Sequence, residues 1–191
     1  MKLGTIKNHL KPYSIVARRR TTVNHAFASA LAPCDPFDTE RLAEAMTALG
    51  QDDHSRLTCV YCDAVAETWD HLVGLVKESE LFGYGHQVGN LVPCCRACNS
   101  SKGNRDWKDH VRTAIADPVL RRKKERVLER YLNKFATQID LDAARQIQPK
   151  VWRRYNEIRK QIFDLMSEAD GIAEQLRLKV TARDSPRHSV D

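Results

Sequence analysis

The chain has 191 residues, a length that fits one ordinary domain or a small domain with helical extensions. Its net charge of +6 favours polyanionic partners. No apolar run reaches the roughly 18 residues of a membrane-spanning helix, and no signal-peptide segment follows the start. These features exclude an integral membrane protein and predict a soluble, cytoplasmic one.

Basic residues concentrate in two segments. Residues 1–34 contain no acid and carry three consecutive arginines at positions 18–20. A second cluster, at 121–124 with Arg126, opens a segment with helical periodicity. The side chains of each cluster either lie on a surface exposed to solvent or contact phosphate groups of nucleic acid. The acid-free N-terminus also resembles a transit peptide.

The first half of the chain predicts an irregular arm followed by a helix. Residues 1–34 lack a clean period, with one short helix expected at 24–31. A clearer helix is predicted over 38–50, because Asp38 is a suitable N-cap and Gly50 a suitable stop. These elements form a basic N-terminal region over residues 1–56.

The second half is predicted to be helical. Residues 107–116 have helical character, and Asp117 before a proline marks the start of a basic helix that runs to about Phe135. A last long segment begins near Asp140 and is broken or kinked at Pro149.

A heptad-like stripe follows this proline. Apolar residues recur in alternating steps of four and three. They are Val151, Tyr155, Ile158, Ile162, Leu165, Ala169, Ile172 and Leu176. The stripe fits either a helix packed on its own domain or a homodimer seam over 151–176. From residue 181 the polar tail is predicted to be disordered.

Two CxxC steps predict a metal site. Cys59 and Cys62 form the first, and Cys95 and Cys98 form the second. Four thiolates complete a tetrahedral structural zinc site, which leaves no open position for catalysis. Cys94 is an alternative ligand to Cys95, whereas the isolated Cys34 is expected in the core.

The 32 residues between the two steps exceed the spacer of a simple zinc ribbon, so they are expected to carry further chemistry. They contain the pair Asp70-His71, a glycine-rich stretch that ends at His86, and the string Asn90-Leu91-Val92-Pro93. Asn99-Ser100-Ser101-Lys102-Gly103 follows the second step directly.

The string CxxC…DH…NLVPxCxxCNxxKG over about residues 57–106 resembles the HNH, or ββα-metal, endonuclease family, in its HNN-like variant. The resemblance implies an α+β, mainly α chain in which a small zinc-stapled ββα core, at 57–116, is flanked by helical extensions. The extension at 117–180 would contain the dimer seam, and 181–191 the tail.

The resemblance also implies roles for individual residues. His71 would be the general base, Asp70 and Asn99 would bind a catalytic Mg²⁺ or Mn²⁺, and Asn90 would brace the loop that orients His71. These residue types suit the roles, because imidazole accepts a proton near neutral pH and oxygen ligands suit hard cations. Lys102 and Arg105 are expected to contact nucleic acid. His86 is a rival base, but its glycine-rich setting favours an ordinary polar loop residue.

Two classes of function remain open at this point. The first is a metal-dependent endonuclease acting on double-stranded DNA, in restriction or defence by analogy, with RNA or branched DNA as other substrates. The second is a zinc-dependent module that binds nucleic acid without cleaving it. The oxygen ligands beside His71 favour the enzyme, because binding alone does not need them.

Overall fold

The computed structural model describes residues 3–52, 56–78 and 80–183. Within them the fold is α+β and mainly helical, with two small antiparallel sheets of two strands each. The helices are α1 (Ile15–Leu31), α2 (Thr39–Ala48), α3 (Arg96–Lys102), α4 (Trp107–Ala114), α5 (Pro118–Phe135), α6 (Leu141–Ile147) and α7 (Pro149–Arg183). The strands are β1 (Thr68–His71), β2 (Val76–Lys77), β3 (Glu80–Leu81) and β4 (Leu91–Cys94).

The chain divides into two compact units. One comprises residues 1–24 together with 147–191, and the other comprises His25–Gln146. The second unit contains both CxxC steps and every predicted site residue. The first holds all of α7 and the N-terminal part of α1.

A strand pair and a helix form the centre of the His25–Gln146 unit. β1 pairs with β4 so that Asp70 lies opposite Val92 and His71 lies opposite Leu91. Cys95 follows β4 directly and is the N-cap of α3. Two antiparallel strands are thus followed at once by a helix, and β1 ends at His71.

The core of this unit joins elements that are distant in sequence. Buried apolar side chains come from α2, the first CxxC step, β4, α4 and α5. Met46, Leu72, Val92, Val111 and Leu128 are among them. Tyr131 of α5 is buried too, and its hydroxyl donates to the carbonyl of Leu91 at 2.7 Å. Helices α2 and α5, which the sequence assigned to flanking regions, therefore pack on the same core as the cysteine steps.

The two helices with clear N-cap signals are confirmed. The Asp38 carboxylate accepts from the amide of Arg41 at 3.1 Å, and α2 runs over 39–48. The Asp117 carboxylate accepts from the amide of Val119 at 2.8 Å, and α5 runs over 118–135. The break at Pro149 is also confirmed, since α6 ends at Ile147 and α7 begins at the proline.

The helix expected at 24–31 is longer than predicted. α1 begins at Ile15, and its first amides are capped by a residue from the other end of the chain. The Asp170 carboxylate accepts from the amides of Ile15 and Val16 at 2.7 and 3.2 Å and from the Ser14 hydroxyl at 2.9 Å. A cap supplied from so far away leaves no local signal in the sequence.

The heptad-like stripe lies on α7, and much of it is exposed. Val151, Ile158, Leu165 and Ile172 are each between 39% and 65% exposed. α7 extends to Arg183, three residues into the predicted tail, and the rest of that tail lies outside the described residues. Within the described residues, no helix is both long enough and apolar enough to cross a bilayer.

Candidate functional site

The two CxxC steps converge on one point. The Sγ atoms of Cys59, Cys62, Cys95 and Cys98 all lie within 4.8 Å of one another. The Sγ atoms of Cys62 and Cys95 are 3.6 Å apart. A tetrahedral zinc with Zn–S bonds of about 2.3 Å requires a sulfur–sulfur distance of roughly 3.8 Å, which is close to this value. The four-cysteine cluster is therefore arranged to hold a metal such as zinc.

Local structure brings each step to this geometry. In the first step, Asp63 has a positive φ of 62°, and its amide donates to the carbonyl of Cys59 at 2.9 Å. This turn brings Cys62 back beside Cys59. In the second step, Cys95 caps α3, and the amide of Cys98 donates to its sulfur at 3.4 Å. The group of four includes Cys95 and not Cys94, as the CxxC spacing predicts.

Cys94 is a fifth sulfur beside the cluster. It is fully buried, and its Sγ lies 3.9 Å from that of Cys59. The hydrogen bond with Cys94 is the main reason that the pKa of Cys59 is lowered to about 4, although burial acts in the opposite direction. Cys59 is thereby suited to be a thiolate, and Cys94 to remain a thiol.

Cys34 is not in the core, contrary to expectation. It is exposed, because residues 33–35 run along the surface beside His86. The backbone of Cys34 forms a parallel bridge with His86, and its thiol donates to the carbonyl of Asp35 at 3.6 Å.

Asp70 lies in a buried, charge-balanced network. The ammonium of Lys102 is 3.1 Å from one carboxylate oxygen and 3.3 Å from the other, and the Tyr61 hydroxyl donates to the carboxylate at 3.0 Å. The side chains of Lys102 and Asp70 are only 1% and 7% exposed. Burial, and then the Asp70 charge, raise the pKa of Tyr61, so its hydroxyl stays protonated. Asp70 thus already has a cation beside it.

Lys102 also holds the end of β1. Its ammonium donates to the carbonyl of His71 at 2.7 Å. The sequence suggested that this lysine contacts nucleic acid, but in the structure its charge points into the protein. One buried ammonium fixes α3 against both Asp70 and the backbone of His71.

His71 faces a second histidine. Its Nε2 lies 3.1 Å from Nδ1 of His86, and the two rings meet edge to face with centroids 5.0 Å apart. Burial lowers the pKa of His71 below its ordinary value; the nearby His86 and Lys102 lower it further, and Asp70 opposes them. A lowered pKa favours the neutral imidazole, which is the form that accepts a proton.

Sequence reasoning treated His86 as an ordinary loop residue, and the structure brings it to His71. Its amide donates to the carbonyl of Pro33 at 2.7 Å, and its carbonyl accepts from the amide of Asp35 at 3.1 Å. A Cβ at the preceding Gly85 would collide with the Pro33 carbonyl oxygen, so this approach requires glycine. A histidine after a Gly-Tyr-Gly stretch was the only sequence signal.

Asn90 joins the segments that carry the two histidines. It is fully buried. Its side-chain oxygen accepts from the amide of Val73 at 2.8 Å, and its amide nitrogen donates to the carbonyls of Val73 and Gly85, each at 3.0 Å. One side chain thus holds the loop after His71 to the residue before His86.

Asn99 is the fourth residue of α3 and is half-buried. It precedes Lys102 by three residues, so the two share a face of the helix. Because Lys102 reaches Asp70 and His71, that face points toward β1. Among the described residues, the Asn99 side chain has no hydrogen-bond partner, so its amide is available to a ligand.

The basic residues fall into two groups. Arg121 and Lys124 have structural partners: the Arg121 guanidinium donates to the carbonyl of Ile115, and the Lys124 ammonium to that of Val60. Others are exposed, namely Arg18, Arg19, Arg20, Arg105, Arg122, Lys123 and Arg126. Only part of the basic cluster on α5 is therefore open to a polyanion.

A metal ion can be held by a group of three or more cysteine, histidine, aspartate or glutamate side chains whose ligand atoms lie close enough to share it. Within residues 3–52, 56–78 and 80–183, the four cysteines are the one such group. No protein-family model, curated protein or solved structure matches the chain. The function must therefore be argued from the site alone.

Proposed function

We propose that this chain is a metal-dependent nuclease of the HNH type that hydrolyses DNA phosphodiester bonds. The main support is the arrangement of β1, β4 and α3, which has the strand–strand–helix order of that family. It brings Asp70 and His71, at the end of one strand, against the helix face that carries Asn99 and Lys102. The cysteine cluster fixes the start of that helix.

In the proposed reaction His71 is the general base. It takes a proton from a water molecule while the water oxygen bonds to phosphorus. The bond between phosphorus and the leaving sugar oxygen breaks, and that oxygen takes a proton from solvent. A neutral imidazole is suited to the first transfer, which contributes about 10²–10⁴-fold to a rate.

Asp70 and Asn99 are the proposed ligands of a Mg²⁺ or Mn²⁺ ion. Bound there, the ion would neutralise charge on the phosphate and the leaving oxygen. The donor set fits, because carboxylate and amide oxygens suit hard cations. Lys102 would compete with the metal ion for Asp70. Its ammonium already balances the carboxylate and would have to release at least one carboxylate oxygen.

Nucleic acid would be held by side chains that are exposed. Arg105 lies just beyond α3, exposed and bonded to the Ser101 hydroxyl at 3.2 Å. Double-stranded DNA is the proposed substrate by analogy with the family, and arginine contacts to its phosphates would need no particular base sequence. A role in restriction or defence is an analogy with the family.

The test is cleavage of plasmid, linear DNA and RNA by the zinc-loaded chain, with and without Mg²⁺ or Mn²⁺, followed by end mapping. His71→Ala should lower the cleavage rate by about 10²–10⁴-fold while zinc content and thermal unfolding stay unchanged. The matched control is His9→Gln, which changes an exposed histidine in the other unit. A His71→Ala variant that still cuts at the wild-type rate rules out His71 as the base.

The Asp70–Lys102 pair favours a second candidate, a zinc module that binds nucleic acid without cleaving it. A carboxylate balanced by an internal lysine needs no metal, so the network is complete as a structural feature. Purified chain that retards DNA in a gel but never nicks it, with either divalent ion present, would support this candidate over the nuclease.

A further inference from the structure

The contact between His71 and His86 has a direction, and the direction decides which nitrogen of His71 is basic. A neutral imidazole carries one N–H and one lone pair. If Nε2 of His71 donates to Nδ1 of His86, the lone pair of His71 is on its Nδ1. If His86 donates instead, the lone pair on His71 is occupied and its Nδ1 carries the proton. Only the first arrangement leaves His71 able to accept a proton from water.

We propose that His86 is a positioning residue for His71: its Nδ1 accepts the Nε2–H of His71 and so presents the Nδ1 of His71 as the free base. This inference rests on the proposed nuclease function. It gives His86 a role beside His71, where the sequence offered it only as a rival base, and it names the reacting atom.

The geometry around the pair supports a built contact. The two ring nitrogens are 3.1 Å apart, and both rings are half-buried. The backbone of His86 is held on both sides, by Pro33 and Asp35. The position of His86 therefore does not depend on its contact with His71.

Asn90 is an independent support. It bonds to Val73, two residues after His71, and to Gly85, one residue before His86. Lys102 donates to the carbonyl of His71 at 2.7 Å. The distance between the two imidazoles is thus set by three other parts of the fold, as expected of a pair that acts together.

Two variants separate the hydrogen bond from mere packing. His86→Leu keeps an apolar side chain but removes the acceptor, whereas His86→Asn keeps an oxygen near the position of Nδ1. We expect His86→Leu to lower kcat by about 10–100-fold with KM unchanged, the usual loss for a partner that orients a functional histidine. His86→Asn should recover most of that loss, and His9→Gln should behave as wild type.

A direct measurement checks the direction of the bond. Nitrogen-15 NMR of the histidine-labelled, zinc-loaded chain should show His71 with its proton on Nε2 in the wild type and in His86→Asn. In His86→Leu the proton should divide between the two nitrogens. Zinc content and thermal unfolding of each variant show that the fold is intact.

Three results would overturn the proposal: a wild-type His71 with its proton on Nδ1, a His86→Leu variant with unchanged kcat, or a divalent ion bound by both imidazoles at once. The last would make the pair a metal site. A wild-type chain that cuts no nucleic acid instead overturns the nuclease function itself, and the NMR result would still report the bond.

Discussion

The cysteine cluster and the Asp70–His71 site are neighbours on α3, yet they are built in opposite ways. The cluster uses four ligands of one type from two local turns, and its sulfurs are already grouped for a single ion. The second site draws on β1, the loop before β4, and α3, and its carboxylate is balanced by Lys102. The four cysteines could hold a metal ion, whereas the Asp70 carboxylate is already balanced by the Lys102 ammonium.

This difference matters for the proposed mechanism. Four thiolates this close together would repel one another, so a bound cation would stabilise the cluster. Asp70 and Lys102 stabilise each other without one. Zinc is therefore expected to be part of the folded protein, whereas Mg²⁺ or Mn²⁺ is expected to compete for its place.

The largest expected effect is on the cysteine cluster. Cys98→Ser removes one zinc ligand at the start of α3, and because structural zinc contributes about 10–16 kcal/mol in small zinc domains, the His25–Gln146 unit should lose its cooperative unfolding. Zinc analysis and circular dichroism measure this. Cys34→Ser, at an exposed cysteine outside the cluster, is the control and should keep both zinc and unfolding temperature. Full zinc content in Cys98→Ser would contradict the four-cysteine site.

A smaller effect is expected at the second site. Lys102→Met leaves the Asp70 carboxylate buried without its cation, and should lower the free energy of unfolding by about 3–5 kcal/mol in urea titrations of the zinc-loaded protein. Adding Asp70→Asn should restore much of the loss, because it removes the unpaired charge.

The same variant tests whether Asp70 binds a metal. If Mg²⁺ or Mn²⁺ takes the place of the ammonium, either ion should stabilise Lys102→Met more than it stabilises the wild type. Equal stabilisation of the two proteins would argue against Asp70 as a ligand of the catalytic metal.

The smallest effect on these sites is expected from α7, which lies entirely in the other unit. Leu165 is 65% exposed in the middle of the apolar stripe. If the stripe is a homodimer seam, Leu165→Glu should convert a dimer into a monomer in sedimentation, with zinc content and unfolding of the His25–Gln146 unit unchanged. A wild-type chain that sediments as a monomer at micromolar concentration would rule out the seam.

Local signals in the sequence predicted much of the fold. Helices α2 and α5 followed from Asp38 and Asp117, whose side chains cap them. The family resemblance predicted that the core at 57–116 contains strands followed by a helix, and the strand pair β1–β4 is followed directly by α3. The start of α1 could not be predicted, because its cap comes from Asp170 in α7.

The sequence by itself determined the two CxxC steps, whereas the fold brought them together. Two cysteines three positions apart reach one ion from a single turn, so the spacing already contains the geometry. The same is true of the caps, which depend on neighbours within one turn of helix. Features of this kind need no knowledge of the rest of the chain.

Only the tertiary structure decided the partners of Asp70 and His71. Lys102 and Tyr61 meet Asp70, and His86 meets His71, because strand pairing and the packing of α3 bring distant segments together. No spacing rule links these residues. Their charges and hydrogen bonds depend on burial and on distances of about 3 Å, which a linear sequence does not contain.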